Sequence, residues 1–309
     1  MPRISVIIAT HNRADMVRIA LQSLIEQTVN RAAFEVIVVD NASRDHTASM
    51  VAEMSARMPH LRYAREERLG LSWARNRGLA EAQAPYIAYL DDDACAEPVW
   101  VDALLAALES PSAPQCVAGP VYLNWNGLPQ NVPARYWSLL SYVHYGDRDR
   151  PLTATEYVVG ANMAFDRAAL DRVGGFPTNL GRHGSKLLSG EEAQVVAQIR
   201  AGGGEVHYAA NAGVFHIVQP DRVKRVWLWR RMFWDGASQP VLDGAARQPR
   251  SYCALQAYRD VKRIGFFILR SAAACFCRDR DGRLDCALRA TQRAGRLRTH
   301  LRLLLGVAS

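Results

Sequence analysis

The stretch Tyr86-Ile-Ala-Tyr-Leu-Asp-Asp-Asp93 reads as a short apolar strand that stops in three consecutive carboxylates. Two earlier segments share its plan. Ile4 to Thr10 is a β-branched run ended by His11-Asn12-Arg13, and Phe34 to Asp40 is a second buried strand followed by Asn41-Ala-Ser43. Helical spacing of apolar residues marks the connections. Val17, Ala20, Leu21, Leu24 and Ile25 share a face within Asp15 to Gln27; further helices are expected over His46 to Met58, Ser72 to Ala82, and Pro98 to Glu109, where Pro98 opens the element. Leu61 to Arg65 is short and extended. Strands regularly separated by helices predict an α/β fold with a doubly wound, mostly parallel sheet. In such sheets ligands sit outside the carboxyl ends of the strands, which is where the polar residues fall.

Neither G-x-G-x-x-G nor G-x-x-x-x-G-K-[ST] occurs, which argues against dinucleotide dehydrogenases and P-loop enzymes. Without a glycine-rich loop a diphosphate must be neutralised otherwise, and carboxylates holding a divalent cation are the obvious means. Asp91, Asp92 and Asp93 repel one another unless a cation sits among them. The same residues also read as a solvated acidic loop, or as an N-cap cluster ahead of Pro98.

The chain has 309 residues, 49% of them hydrophobic and 22% charged, a composition that fits one large globular domain or a domain with an appendage. Its longest apolar stretch, Ile264 to Phe276, is short and broken by Arg270, so no membrane span is expected. The N-terminus lacks a signal-peptide pattern, which predicts a cytoplasmic location. Cys95, Cys116, Cys253, Cys275, Cys277 and Cys286 suit reduced, buried thiols. A zinc site from Cys275, Cys277, Cys286 and His300 is disfavoured by the single residue between the first two.

Charge divides the chain. Residues 1–219 hold 19 Lys+Arg against 23 Asp+Glu, a balance of −4, whereas residues 220–309 hold 19 against 7, or +12. A basic tail suggests a polyanionic partner, either nucleic acid or an anionic membrane leaflet. In Arg222 to Trp234, Trp227, Trp229 and Trp234 alternate with basic residues, as in a base-stacking surface, a membrane interface or a wall on which sugars stack. Ser251 to Cys277 and Gly282 to Gly306 read as helices. Tyr258, Val261, Ile268 and Leu269 lie among basic positions of the first, and Arg289, Arg293 and Arg296 share a face of the second. Both are expected to lie on an anionic leaflet, the cytoplasmic face of an inner membrane. A helical appendage packed on the body, or a self-association element giving a homo-oligomer, is the alternative.

Four blocks, in this order, resemble the family 2 glycosyltransferases, which have the GT-A fold: Ser5-Val-Ile-Ile-Ala-Thr-His-Asn-Arg13, Val36-Ile-Val-Val-Asp-Asn-Ala-Ser43, Gly70 to Gly78 with Ala74-Arg75-Asn76, and Tyr89-Leu-Asp-Asp-Asp93. A fifth, from Gly160-Ala-Asn-Met-Ala-Phe165 through Gly174-Gly175-Phe176 to Gly190-Glu191-Glu192, is similar to that family's acceptor-side region. The resemblance implies a GT-A domain over 1–219, with a nucleotide-sugar half 1–110 and an acceptor half 111–219, followed by a basic helical region 220–309. It implies inverting transfer of a sugar from a nucleotide diphosphate, preferably a UDP-sugar, to a hydroxyl of a glycan or lipid-linked glycan, as in bacterial cell-surface polysaccharide synthesis. Nucleic acid is then not the partner of the tail.

The same resemblance implies residue roles. Thr10, Asn12, Arg13, Asp40, Arg75 and Asp91 would contact the nucleotide, with Asp40 accepting from the uracil N3–H. Without it, Asp40 reads as a helix cap and Arg75 as a solvated helix residue. Asp91 and Asp93 would form the D-x-D motif around Mg²⁺ or Mn²⁺, with Asp92 an alternative ligand and His216 a further one whose imidazole favours Mn²⁺. On local sequence alone His216 reads as a satisfied core residue. Glu192 would be the catalytic base and Glu191 an acceptor ligand, although two acids in a first helical turn also suit the helix dipole. Arg182, His183 and Lys186 would close as a lid over the diphosphate, and Trp227 and Trp234 would line the acceptor. A catalytically inactive nucleotide-sugar-binding module, a nucleic-acid binder and a sugar nucleotidyltransferase are the competing functions.

Overall fold

The computed structural model describes residues 1–182, 187–277 and 279–306. The chain forms two compact units, Met1–Thr178 with Glu191–Gln219, and Asn179–Gly190 with Pro220–Ser309. In the first unit the chain runs through β1 (Ile4–Thr10), α1 (Ala14–Ile25), β2 (Phe34–Asp40), α2 (Thr47–Ser55), β3 (Leu61–Arg65), α3 (Leu71–Glu81), β4 (Tyr86–Leu90), β5 (Ala94–Ala96), α4 (Trp100–Leu108), β6 (Cys116–Ala118) and β7 (Val121–Asn124). It continues through β8 (Arg150–Pro151), β9 (Asn162–Asp166), α5 (Arg167–Arg172), α6 (Glu191–Ala201), β10 (Val206–Tyr208) and β11 (Val214–Ile217).

The main sheet has the order β3-β2-β1-β4-β9-β6-β10-β8. Its β3-β2-β1-β4 half is parallel throughout, and β9 runs antiparallel to both of its neighbours. Every residue of β2 is buried, as expected for a strand covered on both faces. Side chains alternate between two cores: Ile4, Val6 and Ile8 pack with Leu21, Leu24 and Trp100, while Ile7 packs with Ile37, Tyr89, Phe165 and Phe176. Registry sets the site. Thr10 pairs with Asp40, and Ile7 pairs with Tyr89 two residues before Asp91, so the polar termini of β1, β2 and β4 share one edge.

A second sheet, β5-β11-β7, grows from that edge. Residues Ala94 to Ala96 carry no period of their own. They become a strand because β11 pairs with them, His216 opposite Ala94, and because Ile217 N–H donates to the Asp93 carbonyl at 2.8 Å.

The second unit is helical: α7 (Arg225–Leu242), α8 (Arg250–Phe276) and α9 (Arg280–Leu304), with α9 packed against both others. α7 and α9 meet backbone to backbone at two glycines. A Cβ on Gly236 would fall 1.8 Å from the Gln292 carbonyl oxygen, and one on Gly295 would fall 1.9 Å from that of Phe233. Beside this crossing lies a buried charge cluster. Asp260 accepts from Arg293 at 3.2 Å and lies 3.5 Å from Arg296 Nε and 3.1 Å from His300 Nδ1. Burial acts against the Asp260 carboxylate, but the His300 and Arg293 hydrogen bonds outweigh it and hold its pKa below the ordinary value.

The cluster corrects two expectations. Arg293 and Arg296 turn inward to Asp260 instead of presenting a basic face, and His300 is committed there, while Cys275 and Cys277 are exposed. The expectation of buried thiols holds for Cys116, Cys253 and Cys286 only. No helix among the described residues is long and apolar enough to cross a membrane.

Candidate active site

Asp91, Asp92 and Asp93 leave β4 and diverge. Asp92 is buried, accepting from Thr10 Oγ1 at 2.8 Å and from Arg13 Nη1 at 2.7 Å. Burial raises the Asp92 pKa; Arg13 opposes this, and neighbouring Asp93 adds to it. Asp93 takes a second Arg13 contact at 3.0 Å on Oδ2, while its Oδ1 lies 3.2 Å from His216 Nε2. Asp92 chiefly, then Asp93, raises the Arg13 pKa against the effect of its own burial, so this arginine stays charged. Asp91 is more open and completes the set. Single ligand atoms of Asp91, Asp93 and His216 all lie within 4.8 Å of one another, the one such cluster among the described residues. Two carboxylates and an imidazole converging at this spacing fit a divalent cation, and the mixed oxygen and nitrogen donors suit a transition ion.

Arg75 occupies the centre. It is 3% exposed, far from the solvated helix residue that its surroundings in α3 suggest. Its Nη1 donates to Glu191 Oε1 at 2.9 Å, and its Nη2 reaches Asp91 Oδ1 at 3.4 Å and the Gly160 carbonyl at 3.3 Å. Its guanidinium also stands 5.3 Å from the ring centroid of Phe176. Burial works against the charge, yet Glu191, then Asp91 and Glu192, more than offset it and raise the Arg75 pKa. A Cβ at position 160 would stand 2.3 Å from Arg75 Nη2, so any larger residue there would displace this guanidinium. Gly160, Phe176 and the Arg75–Glu191 pair escape sequence reasoning as site residues, although Gly160 and Phe176 lie within the fifth block.

Glu191 and Glu192 open α6. Glu191 is buried on Arg75. Glu192 keeps part of its surface in solvent, but its Oε2, like that of Glu191, is shut away from water with no hydrogen-bond partner. Desolvation, then the charge of Glu191, pushes the Glu192 pKa up to about 7; Arg75 pulls the other way, and Asp91 adds a further rise.

The other predicted nucleotide residues organise the adjoining loops. Asn12 adopts a left-handed φ of 54°, accepts from the Arg44 N–H and has its own N–H bonded to Ser43 Oγ. Asp40 is 1% exposed and already accepts from Tyr63 Oη at 2.7 Å, Ser43 N–H at 2.7 Å and Arg65 Nη1 at 3.3 Å. Ala42 also takes a positive φ, 55°, a strained choice that persists at functional loops.

In the second unit, Arg182 is exposed and Trp227 is half-buried on α7. Trp234 lies under the Arg298 guanidinium, 5.4 Å from its ring centroid. His183 and Lys186 lie outside the described residues.

The sequence profile described as Glycosyl transferase family 2 matches residues 5–174, more than half of the chain. The chain belongs to this family. Among curated relatives of this glycosyltransferase, the glucosyl-dolichyl phosphate glucuronosyltransferase of Haloferax volcanii is 27% identical over 245 residues, 78% of this chain and 77% of that protein. The pre-mycofactocin glycosyltransferase of Mycobacterium tuberculosis is 27% identical over 252 residues, 80% of this chain but only 48% of the relative. The solved mannosyltransferase PcManGT of Pyrobaculum calidifontis, in complex with GDP-Man and Mn²⁺, superposes with a TM-score of 0.62 at 22% identity, covering 96% of this chain and 87% of that one. The fold is therefore GT-A, and the chain is a glycosyltransferase.

Proposed function

We propose that this glycosyltransferase inverts: it moves a sugar from a nucleoside diphosphate donor, with UDP-sugars first among the candidates, onto a hydroxyl of a glycan or lipid-linked glycan in a single displacement. The observation that carries this reading is Glu192. An unpartnered carboxylate oxygen excluded from water, on a group whose pKa lies up near 7, can take a proton from an incoming hydroxyl close to neutral pH. Hydrogen bonding to that hydroxyl would also satisfy an oxygen that has no partner in the free protein.

Around this base each residue has a distinct task. Arg75 orients Glu191 and Asp91 from one guanidinium, so the acceptor side and the donor side share a rigid reference point. Thr10 and Arg13 fix Asp92 and Asp93, and through them serve the donor. Asp91, Asp93 and His216 would hold a divalent cation, which when bound offsets the charge of the donor diphosphate. Mn²⁺ is favoured over Mg²⁺ by the imidazole in the set, and the Mn²⁺ complex of PcManGT supports it. Asp40 meets a base N–H by exchanging its long Arg65 contact for it, because its other donors are short and internal. A lipid-linked acceptor draws support from the glucuronosyltransferase relative, whose name places its action on glucosyl-dolichyl phosphate.

The test is a panel of nucleotide sugars offered to the purified protein with Mn²⁺ or Mg²⁺, reading nucleotide release and the anomeric configuration of the product. Metal-dependent release with an inverted product is expected. Retained configuration would rule out single displacement, and silence across the panel would favour the inactive binding module.

A further inference from the structure

The side of a surface helix that points away from its packing partner is ordinarily polar. On α8 the inward side carries Cys253, Ala257 and Asp260, all buried. Helical spacing places Leu255, Tyr258, Lys262, Phe266 and Leu269 opposite them. Of these, Leu255 is 47% exposed, Tyr258 60%, Phe266 46% and Leu269 73%. Arg259, Arg263 and Arg270 border this stripe on one flank, and Val261 and Ile268 are exposed beyond its other flank, towards the packing side. Solvent therefore meets an apolar band with a basic edge. Lys262 Nζ lies 5.2 Å from the Tyr258 ring centroid and Arg270 Cζ 5.7 Å from that of Phe266, so cationic ends sit over the aromatic rings of the band.

We propose that this face of α8 lies in the plane of an anionic lipid bilayer, with Phe266 and Leu269 at the boundary of headgroups and acyl chains and Arg259, Arg263 and Arg270 on lipid phosphates. An exposed apolar band of this extent marks a contact surface, and its border decides the partner. A second copy of the chain seated on the same face would bring Lys262 and the arginine edge against their equivalents, within a region that carries +12 over residues 220–309. An anionic leaflet complements both the band and the edge. Because no described helix can cross a bilayer, the contact is in-plane.

The full-length protein is tested by co-sedimentation with vesicles of phosphatidylcholine alone and of phosphatidylcholine mixed with phosphatidylglycerol, at low and high salt. Neither donor nor metal is needed, so the result stands apart from the glycosyl-transfer reading. Binding is expected only to the mixed vesicles and should weaken with salt. F266E/L269E, at exposed positions, should reduce it at least about tenfold with helicity and melting unchanged. R263Q/R270Q should lower it about 25-fold, at roughly fivefold per charge, and flatten the salt dependence. Equal binding to both vesicles, no binding, or double variants that sediment like the wild type would overturn the proposal. So would a dimer, seen by light scattering, that F266E/L269E dissociates while vesicles fail to compete.

Discussion

Replacing Glu192 by Gln should make the protein a poorer catalyst and, at alkaline pH, a more stable fold. The Glu192 pKa rises from an ordinary 4.5 to about 7 on folding. Between those values the folded chain holds a proton that the unfolded chain has released, so stability falls as pH rises from 4.5 to 7 and is level above. At about 1.4 kcal/mol per pH unit the wild type loses up to about 3 kcal/mol across this window. Gln keeps the shape without the charge and escapes that loss. E192Q should therefore unfold in urea near the wild-type midpoint at pH 5 and resist urea by up to about 3 kcal/mol more at pH 8, both measured on metal-free protein. Turnover should drop about a hundredfold to ten-thousandfold, the usual worth of a positioned base, with donor binding retained. If the two proteins have the same stability at pH 8, or E192Q is the weaker, then Glu192 is not a carboxyl held out of water and the assignment of the base loses its foundation.

In the wild type with Mn²⁺, kcat/KM should rise about tenfold per pH unit at acid pH and flatten at an inflection below 7, because the cation offsets the charge of Asp91; E191Q, which removes the like charge beside Glu192, should move the inflection lower still. D93N should reduce turnover and Mn²⁺ affinity by about two orders of magnitude or more, the latter read by calorimetric titration, because it removes the carboxylate shared by Arg13 and His216. R75M should cost about 3–5 kcal/mol in urea unfolding, since it strands Glu191 as a buried charge, and it should shift the pH inflection upward by removing the cation that favours ionised Glu192.

Local pattern made the strand ends legible, because β1, β2 and β4 are apolar runs that stop abruptly in polar residues, and sheet registry then had to bring those stops to one edge. What sequence could not disclose depends on partners far along the chain. β5 is three residues with no period, made a strand by β11. Arg75 looks like a surface residue of α3 until Glu191, 116 positions away, arrives beside it. His216 could be singled out only through family resemblance, since a histidine among apolar neighbours is usually a core residue; β5 and β11 together place it beside Asp93. In the tail the helices were legible but not their orientation. Asp260 draws Arg293 and Arg296 inward and Cys253 and Ala257 pack beside it, which leaves the apolar residues of α8 on the outside.

The distribution of charge at the site explains why these parts work together. Asp91, Asp92, Asp93, Glu191 and Glu192 crowd one edge of the sheet, and Arg13 and Arg75 bond to four of them. Arg13 is committed to Asp92 and Asp93, and Arg75 to Glu191 and Asp91; among the described residues Glu192 has no direct cationic contact. Desolvation, then the charge of Glu191, favours a proton on Glu192 and pushes its pKa up to about 7. Asp91 is among the charges holding that proton in place. A cation held by Asp91 and Asp93 would weaken this repulsion and, on the proposed reading, would make Glu192 easier to ionise when the donor side is filled. On the proposed reading, the surplus of negative charge would couple donor binding to proton transfer on the acceptor side.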